Sequence, residues 1–263
     1  MMRNLGQALW VELLKARRSK MPLMTLLGFA LAPFVGGFFM IVLKDPDMAR
    51  RLGMISAKAQ ILAGSADWPT YLGLLAQATG IGGIVIFSFI TSWVFGREYA
   101  DHTIKDLLAL PTARSAIVLA KFILVLFWSI LLTVAIYLIG LAVGAVVVLP
   151  SAPAQTYWQG AITIAVTASM IVALVTPIAF FASAGRGYMP PMGATLLFVF
   201  MAQIIAAAGW GEYFPWSIPA LRSGMAGPEY AHLGVISYMI VLLTGLLGAL
   251  ATFAWWEWAD QHQ

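Results

Sequence analysis

The run "AIVLAKFILVLFWSILLTVAIYLIGLAVGAVVVL", Ala116 to Leu149, contains a single charged residue, Lys121. A stretch of about 18 apolar residues is already long enough to be read as a membrane span. This one is longer than a bilayer needs, so it is expected to tilt or to begin as a helix in the interface. Working outward from it, five further apolar runs appear, and together they give six spans: 22–43, 71–95, 116–149, 157–181, 191–209 and 234–255. The fold class that follows is an all-α polytopic membrane protein, with residues 1–263 forming a single transmembrane domain.

Composition agrees with that reading. Of 263 residues, 61% are hydrophobic and 10% charged, against about a quarter charged in an ordinary soluble domain. There is no cysteine, which excludes disulfide frameworks, Cys-ligated zinc and thiol catalysis. The first apolar run exceeds the usual ~7–15-residue core of a cleavable signal, so it is read as an uncleaved signal-anchor.

Orientation follows from the basic residues. With both termini inside, ten Lys and Arg residues fall on the inner side: Arg3, Lys15, Arg17, Arg18, Lys20, Arg97, Lys105, Arg114, Lys121 and Arg186. Five fall outside: Lys44, Arg50, Arg51, Lys58 and Arg222. The cluster abutting the first span weighs most in this positive-inside assignment. Lys121 lies near the inner end of its span, where it is expected to snorkel to the interface. The net charge of +4 reflects loop orientation rather than nucleic-acid binding.

Several connections carry patterns of their own. Leu5, Leu9, Leu13 and Leu14 recur at helical spacing, with Glu12, Lys15 and Arg18 elsewhere on the wheel and Trp10 suited to headgroup depth. Residues 1–20 therefore read as an amphipathic interfacial helix. Outside, Pro46 to Ala63 shows similar spacing and reads as a short interfacial helix or a solvated loop. The segment "GWGEYFPWSIPALRSG", Gly209 to Gly224, has prolines that forbid one continuous helix. It is either a re-entrant pair of short elements whose backbone protein must bury, or an interfacial aromatic belt. Tight turns are expected at Pro150–Pro153 and at Gly185-Arg186-Gly187.

Catalytic signatures are absent. There is no P-loop, no H-E-x-x-H and no G-x-S-x-G, and the three histidines are scattered over connections and tail. No enzyme activity, cofactor or metal site is expected in this chain. The six span interiors lack Asp and Glu, which disfavours ion-coupled transport. Gln77 and Gln203 are the polar exceptions, either lining a pathway or bonding between helices. Gly140 and Gly144 are expected to pack within one subunit, and Pro33 and Pro177 to kink their spans.

One connection departs from this apolar background. "FGREYADHTIKDLLALPTAR", Phe95 to Arg114, carries six charges of mixed sign: Arg97, Glu98, Asp101, Lys105, Asp106 and Arg114. Thr103 to Asp106 matches a capping box, and with Ile104, Leu107 and Leu108 it predicts a short amphipathic helix before Pro111. By physics alone this is a capped connector or a docking surface.

The extended segment "FGREYADHTIKDLLALPTARSAIVLAK", Phe95 to Lys121, resembles the loop after the second span in permease subunits of the type-2 ABC transporter family, in its bacitracin and lantibiotic exporter-like branch. Glu12–Leu27 and "YFPWSIPAL", Tyr213–Leu221, resemble the same proteins. The resemblance implies an N-terminal connecting helix, a coupling helix after the second span and paired re-entrant helices before the sixth. It implies a separate ABC ATPase, two copies of it, that binds ATP and Mg²⁺, together with a second permease copy, identical or paralogous. It also implies multi-pass placement in the bacterial cytoplasmic membrane. Arg97, Glu98, Asp101, Lys105 and Asp106 would then contact or position the ATPase, Thr103 would cap the coupling helix, and Ile104, Leu107 and Leu108 would be its apolar contact. The expected function is an exporter subunit for an amphiphilic peptide antibiotic or lipid-linked cargo. The alternative is a non-transporting sensor or scaffold that docks a cytoplasmic partner through the same helix.

Overall fold

A computed structural model describes residues 2–45, 65–109, 111–225, 227 and 233–258. Among the described residues there are ten α-helices and no strand. They are α1 (Met2–Arg18), α2 (Met21–Lys44), α3 (Trp68–Ala100), α4 (Ile104–Leu108) and α5 (Arg114–Val146). They continue with α6 (Ala154–Leu174), α7 (Thr176–Ala184), α8 (Met189–Ala207), α9 (Ile218–Arg222) and α10 (Val235–Trp258), with a 3₁₀ turn at Gly211–Tyr213. Six stretches are long and apolar enough to cross a membrane, α6 and α7 counting as one. The expected outer helix at 46–63 lies outside the described residues.

The helix α3 occupies the centre, touching α2, α5, α6, α7, α8 and α9. Its glycines and small polar residues permit this, because a helix surrounded on all sides must let neighbouring backbones approach. Gly140 and Gly144 of α5 face Leu75 and Trp68 of α3, where an added Cβ would sit 2.3 and 2.5 Å from side-chain atoms. Their role is contact within the chain, as expected. Outward faces of α2, α8 and α10 stay apolar and exposed, at Leu27, Phe200 and Leu247 among others.

The fourth span breaks where Pro177 removes a backbone donor. Its helix stops at Leu174 and restarts at Thr176. The Thr176 hydroxyl lies within donating distance of the Ala173 and Gly245 carbonyls, so it answers the Ala173 carbonyl that Pro177 leaves without its N–H donor and ties the break to α10. Pro33 stays inside an unbroken α2, and the Tyr71 hydroxyl donates to its carbonyl at 2.9 Å.

Helix ends are closed by a recurring device. At Glu98, Gly144, Ala182, Ile205 and Ala220 the carbonyl accepts from the N–H five residues on. In each case the residue before that donor has a positive φ: His102, Val148, Arg186, Gly209 and Gly224. This is the Schellman closure, with three non-glycine residues taking the left-handed position. The Lys44 ammonium adds donors to the Val147 and Val148 carbonyls at the end of α5. Arg114 does the same for Trp256 and Glu257 at the end of α10. Both place a cation at the negative end of a helix dipole. At the start of α3, Asp67 accepts from the Thr70 N–H. Burial pushes its carboxyl up, but hydrogen bonds from Ser65 and Thr70 outweigh that and hold it below its ordinary value.

The segment before α10 is a pair of short elements seated in protein. Ile218, Pro219 and Leu221 are buried, and α9 rests on Gly80, where an added Cβ would lie 3.1 Å from the Ala220 Cα. Gly80 is twelve residues into α3, about 18 Å along the axis at ~1.5 Å per residue. Trp216 turns inward to stack on Phe198, with ring centroids 4.0 Å apart, whereas Trp210 and Tyr213 stay exposed as interfacial residues do.

Candidate functional site

The charged connection divides into a buried half and an exposed half. Helix α3 runs without interruption to Ala100, so Arg97 and Glu98 belong to its last turn rather than to a loop. Both are buried, with Glu98 2% exposed. They meet Glu12 and Lys15 of α1, one helical turn apart on the same face, and Lys121 of α5.

The contacts form a closed ionic network. Arg97 donates through Nη2 to Glu12 Oε2 at 2.7 Å and through Nε to Glu98 Oε1 at 3.1 Å. Lys15 Nζ lies 3.1 Å from Glu12 Oε1 and 3.1 Å from Glu98 Oε1. Lys121 Nζ donates to Glu98 Oε2 at 2.8 Å, reaches Glu12 Oε2 at 3.5 Å, and also donates to the Val94 carbonyl at 2.6 Å. The Arg97 guanidinium lies 4.5 Å from the Trp93 ring centroid, one turn earlier on the same helix. Every member has multiple partners, which is what a buried charge requires.

One sequence expectation changes here. Lys121 does not snorkel; it is fully buried because two carboxylates wait for it inside. Glu12 of α1 is 2% exposed, drawn in by the same cations. Arg97 and Glu98 are buried, with side chains 7% and 3% exposed, and their charges face Glu12, Lys15 and Lys121 inside the bundle. Lys121 carried a readable signal, since a lysine seven residues into an apolar helix needs an acidic partner. Glu12, the acid nearest the N-terminus in a basic segment, was the corresponding clue.

The exposed half is α4 and its flanks. Asp101, Thr103, Lys105 and Asp106 are exposed, Leu107 is half-buried, and Ile104 is buried. Ile104 therefore roots the helix in the bundle instead of presenting an outward apolar contact, and the Leu108 side chain lies outside the described residues. Thr103 occupies the N-cap position without a side-chain capping bond. Its N–H is used to close α3 on the Glu98 carbonyl at 2.9 Å, and its φ of −96° and ψ of 4° are not the extended conformation that an N-cap hydroxyl needs.

The two glutamines line separate hollows that share Ile81 and Met225. Gln203 faces a cavity of about 280 Å³ between α3, α8 and α9. Gln77 faces an apolar groove of about 600 Å³ between α2 and α3.

The sequence of residues 8–202 matches the family model described as ABC-2 family transporter protein. The chain belongs to the ABC-2 transporter family. It is a transport permease. The permease is 28% identical over 181 residues to the bacitracin transport permease protein BCRB of Bacillus licheniformis, covering 68% of this chain and 86% of that protein. The family-model match over residues 8–202 spans the network residues Glu12, Lys15, Arg97, Glu98 and Lys121 and the helix α4.

Proposed function

We propose that the permease is the membrane-spanning subunit of an ATP-driven exporter. It sits in the bacterial cytoplasmic membrane with both termini inside. Two permease copies, identical or paralogous, join two ATPase subunits, which bind ATP and Mg²⁺ and hydrolyse ATP in place of this chain. The observation that carries the reading is the construction of α4: a short helix with charged outer positions, anchored by buried Ile104 directly after the central helix α3. A mixed-sign surface selects a partner by complementarity, and its displacement would reach α3 and, through the ionic network, α1 and α5.

The cargo is an amphiphilic peptide of the bacitracin class or a lipid-linked species. The named relative supports that class, as do two hollows with mostly apolar linings and a single glutamine each. Such cargo enters laterally from the bilayer and needs no ion pair within the spans.

Assembly with an ABC ATPase and measurement of bacitracin-stimulated hydrolysis tests the reading. Reversing Lys105 and Asp106 together is expected to weaken ATPase binding by about tenfold and to lower stimulated hydrolysis, with stability unchanged within about 0.5 kcal/mol because both side chains are exposed. Unchanged assembly and unchanged stimulation would remove the docking role from α4.

A further inference from the structure

Beside the ionic network, at the junction of α1 and α2, lies a recess of about 430 Å³. Lys15, Arg18 and Ser19 line one wall, and Trp93 and Arg97 line the other, with Glu98, Asp101 and Thr103 completing it. Its charge balance is positive. Within the network three cations face two carboxylates, and both oxygens of Glu98 are taken by Lys15, Arg97 and Lys121. Arg18 adds a further positive charge at the rim, offset by exposed Asp101, and Arg17 and Lys20 stand exposed on the flanking turn.

Position distinguishes the recess from an ordinary basic surface. It sits where the apolar part of two spans ends, since α2 begins at Met21 and the apolar run of α3 stops at Phe95. Leu23 and Leu27 of α2, both 60% exposed, start within a turn or two of Ser19 and lead away along the bilayer face. Trp93 is half-buried at the recess, the depth at which indole rings favour the membrane interface. A basic hollow at headgroup level, continuous with an exposed apolar track, fits a phosphate group that carries acyl chains. We propose that this recess binds the phosphate of an anionic phospholipid, bridging Arg18 at the α1–α2 junction and Arg97 at the end of α3, with the acyl chains lying along α2. Lys15 supplies a further ammonium at the wall, its side chain 34% exposed.

The ligand chemistry is a phosphate monoanion, and the experiment separates its sources. Purified permease in a neutral detergent is titrated with phosphatidylglycerol, phosphatidylcholine and inorganic phosphate, and bound species are counted by native mass spectrometry. Phosphatidylglycerol is expected to bind as one retained copy per chain, in preference to phosphatidylcholine and in the presence of excess inorganic phosphate. Arg18→Gln is expected to weaken that binding about fivefold, the effect of one basic contact. Arg18 is exposed, so the variant folds, and its melting temperature checks this. Lys20→Gln removes an equal charge outside the recess and is expected to leave the retained copy in place. Equal loss in both variants would mean diffuse attraction and would overturn the site. Equal retention of phosphatidylcholine would overturn it as well, and displacement by inorganic phosphate would overturn the lipid as the source.

Discussion

Glu98→Ala is expected to destabilise the permease by about 3–5 kcal/mol, the usual consequence of breaking a buried ion pair by removing one partner. Glu98 accepts from Lys15, Arg97 and Lys121, so its loss strands Lys121, which has no exposed surface. Glu12 Oε2, at 3.5 Å, is then the remaining carboxylate within reach of Lys121. Thermal unfolding in detergent, followed by the fraction that stays monodisperse after heating, reads the change. Combining Glu98→Leu with Lys121→Met removes both charges and is expected to recover much of the loss, because replacing a buried pair with apolar residues is often close to neutral. A Glu98→Ala protein as stable as the parent would show that the network does not hold the bundle end together.

A second large effect is expected at Gly248. An added Cβ there would lie 2.3 Å from the Pro177 nitrogen and 2.5 Å from its Cδ. Neither a backbone atom nor a proline ring can swing aside, so α10 itself must retreat from the broken fourth span. Retreat would loosen the Trp256 indole bond to the Ser183 hydroxyl at 2.9 Å and the Thr252 contact with the Thr176 carbonyl. Gly248→Val is expected to cost about 3 kcal/mol, at the upper end for overpacking, measured by the same unfolding assay. Gly73→Ala on α3 is the control: nothing lies within 4 Å of its added Cβ, and alanine gains about 1 kcal/mol of helix propensity over glycine. Similar losses at both positions would mean that the contact with Pro177 is not what places α10.

The spans were legible because span length and apolarity answer to the bilayer alone. The turns at Pro150–Pro153 and at Gly185–Gly187 were legible because proline and glycine act locally. Whether Gly209–Gly224 entered the bundle was not, since that depends on Gly80, more than a hundred residues away, letting α9 approach. The break at Val175 was readable from Pro177, although its stabilisation by Gly245 of α10 was not. The charged connection was the least legible segment. Six charges within twenty residues look like a solvated surface when counted along the chain. In space, Arg97 and Glu98 find Glu12, Lys15 and Lys121, contacts 23 to 85 residues apart apart from their own pairing. Thr103 to Asp106 had the letters of a capping box, yet the N–H of Thr103 was already committed to closing α3.

These observations separate a locked inner half from an available outer half of one segment. The permease has no cysteine, so Lys105→Cys creates a single reporter on the exposed face of α4. Maleimide labelling of this variant, alone and assembled with its ATPase, tests the separation most directly. The account predicts rapid labelling of the isolated permease and strong protection in the assembled complex. Equal labelling in both states would contradict it.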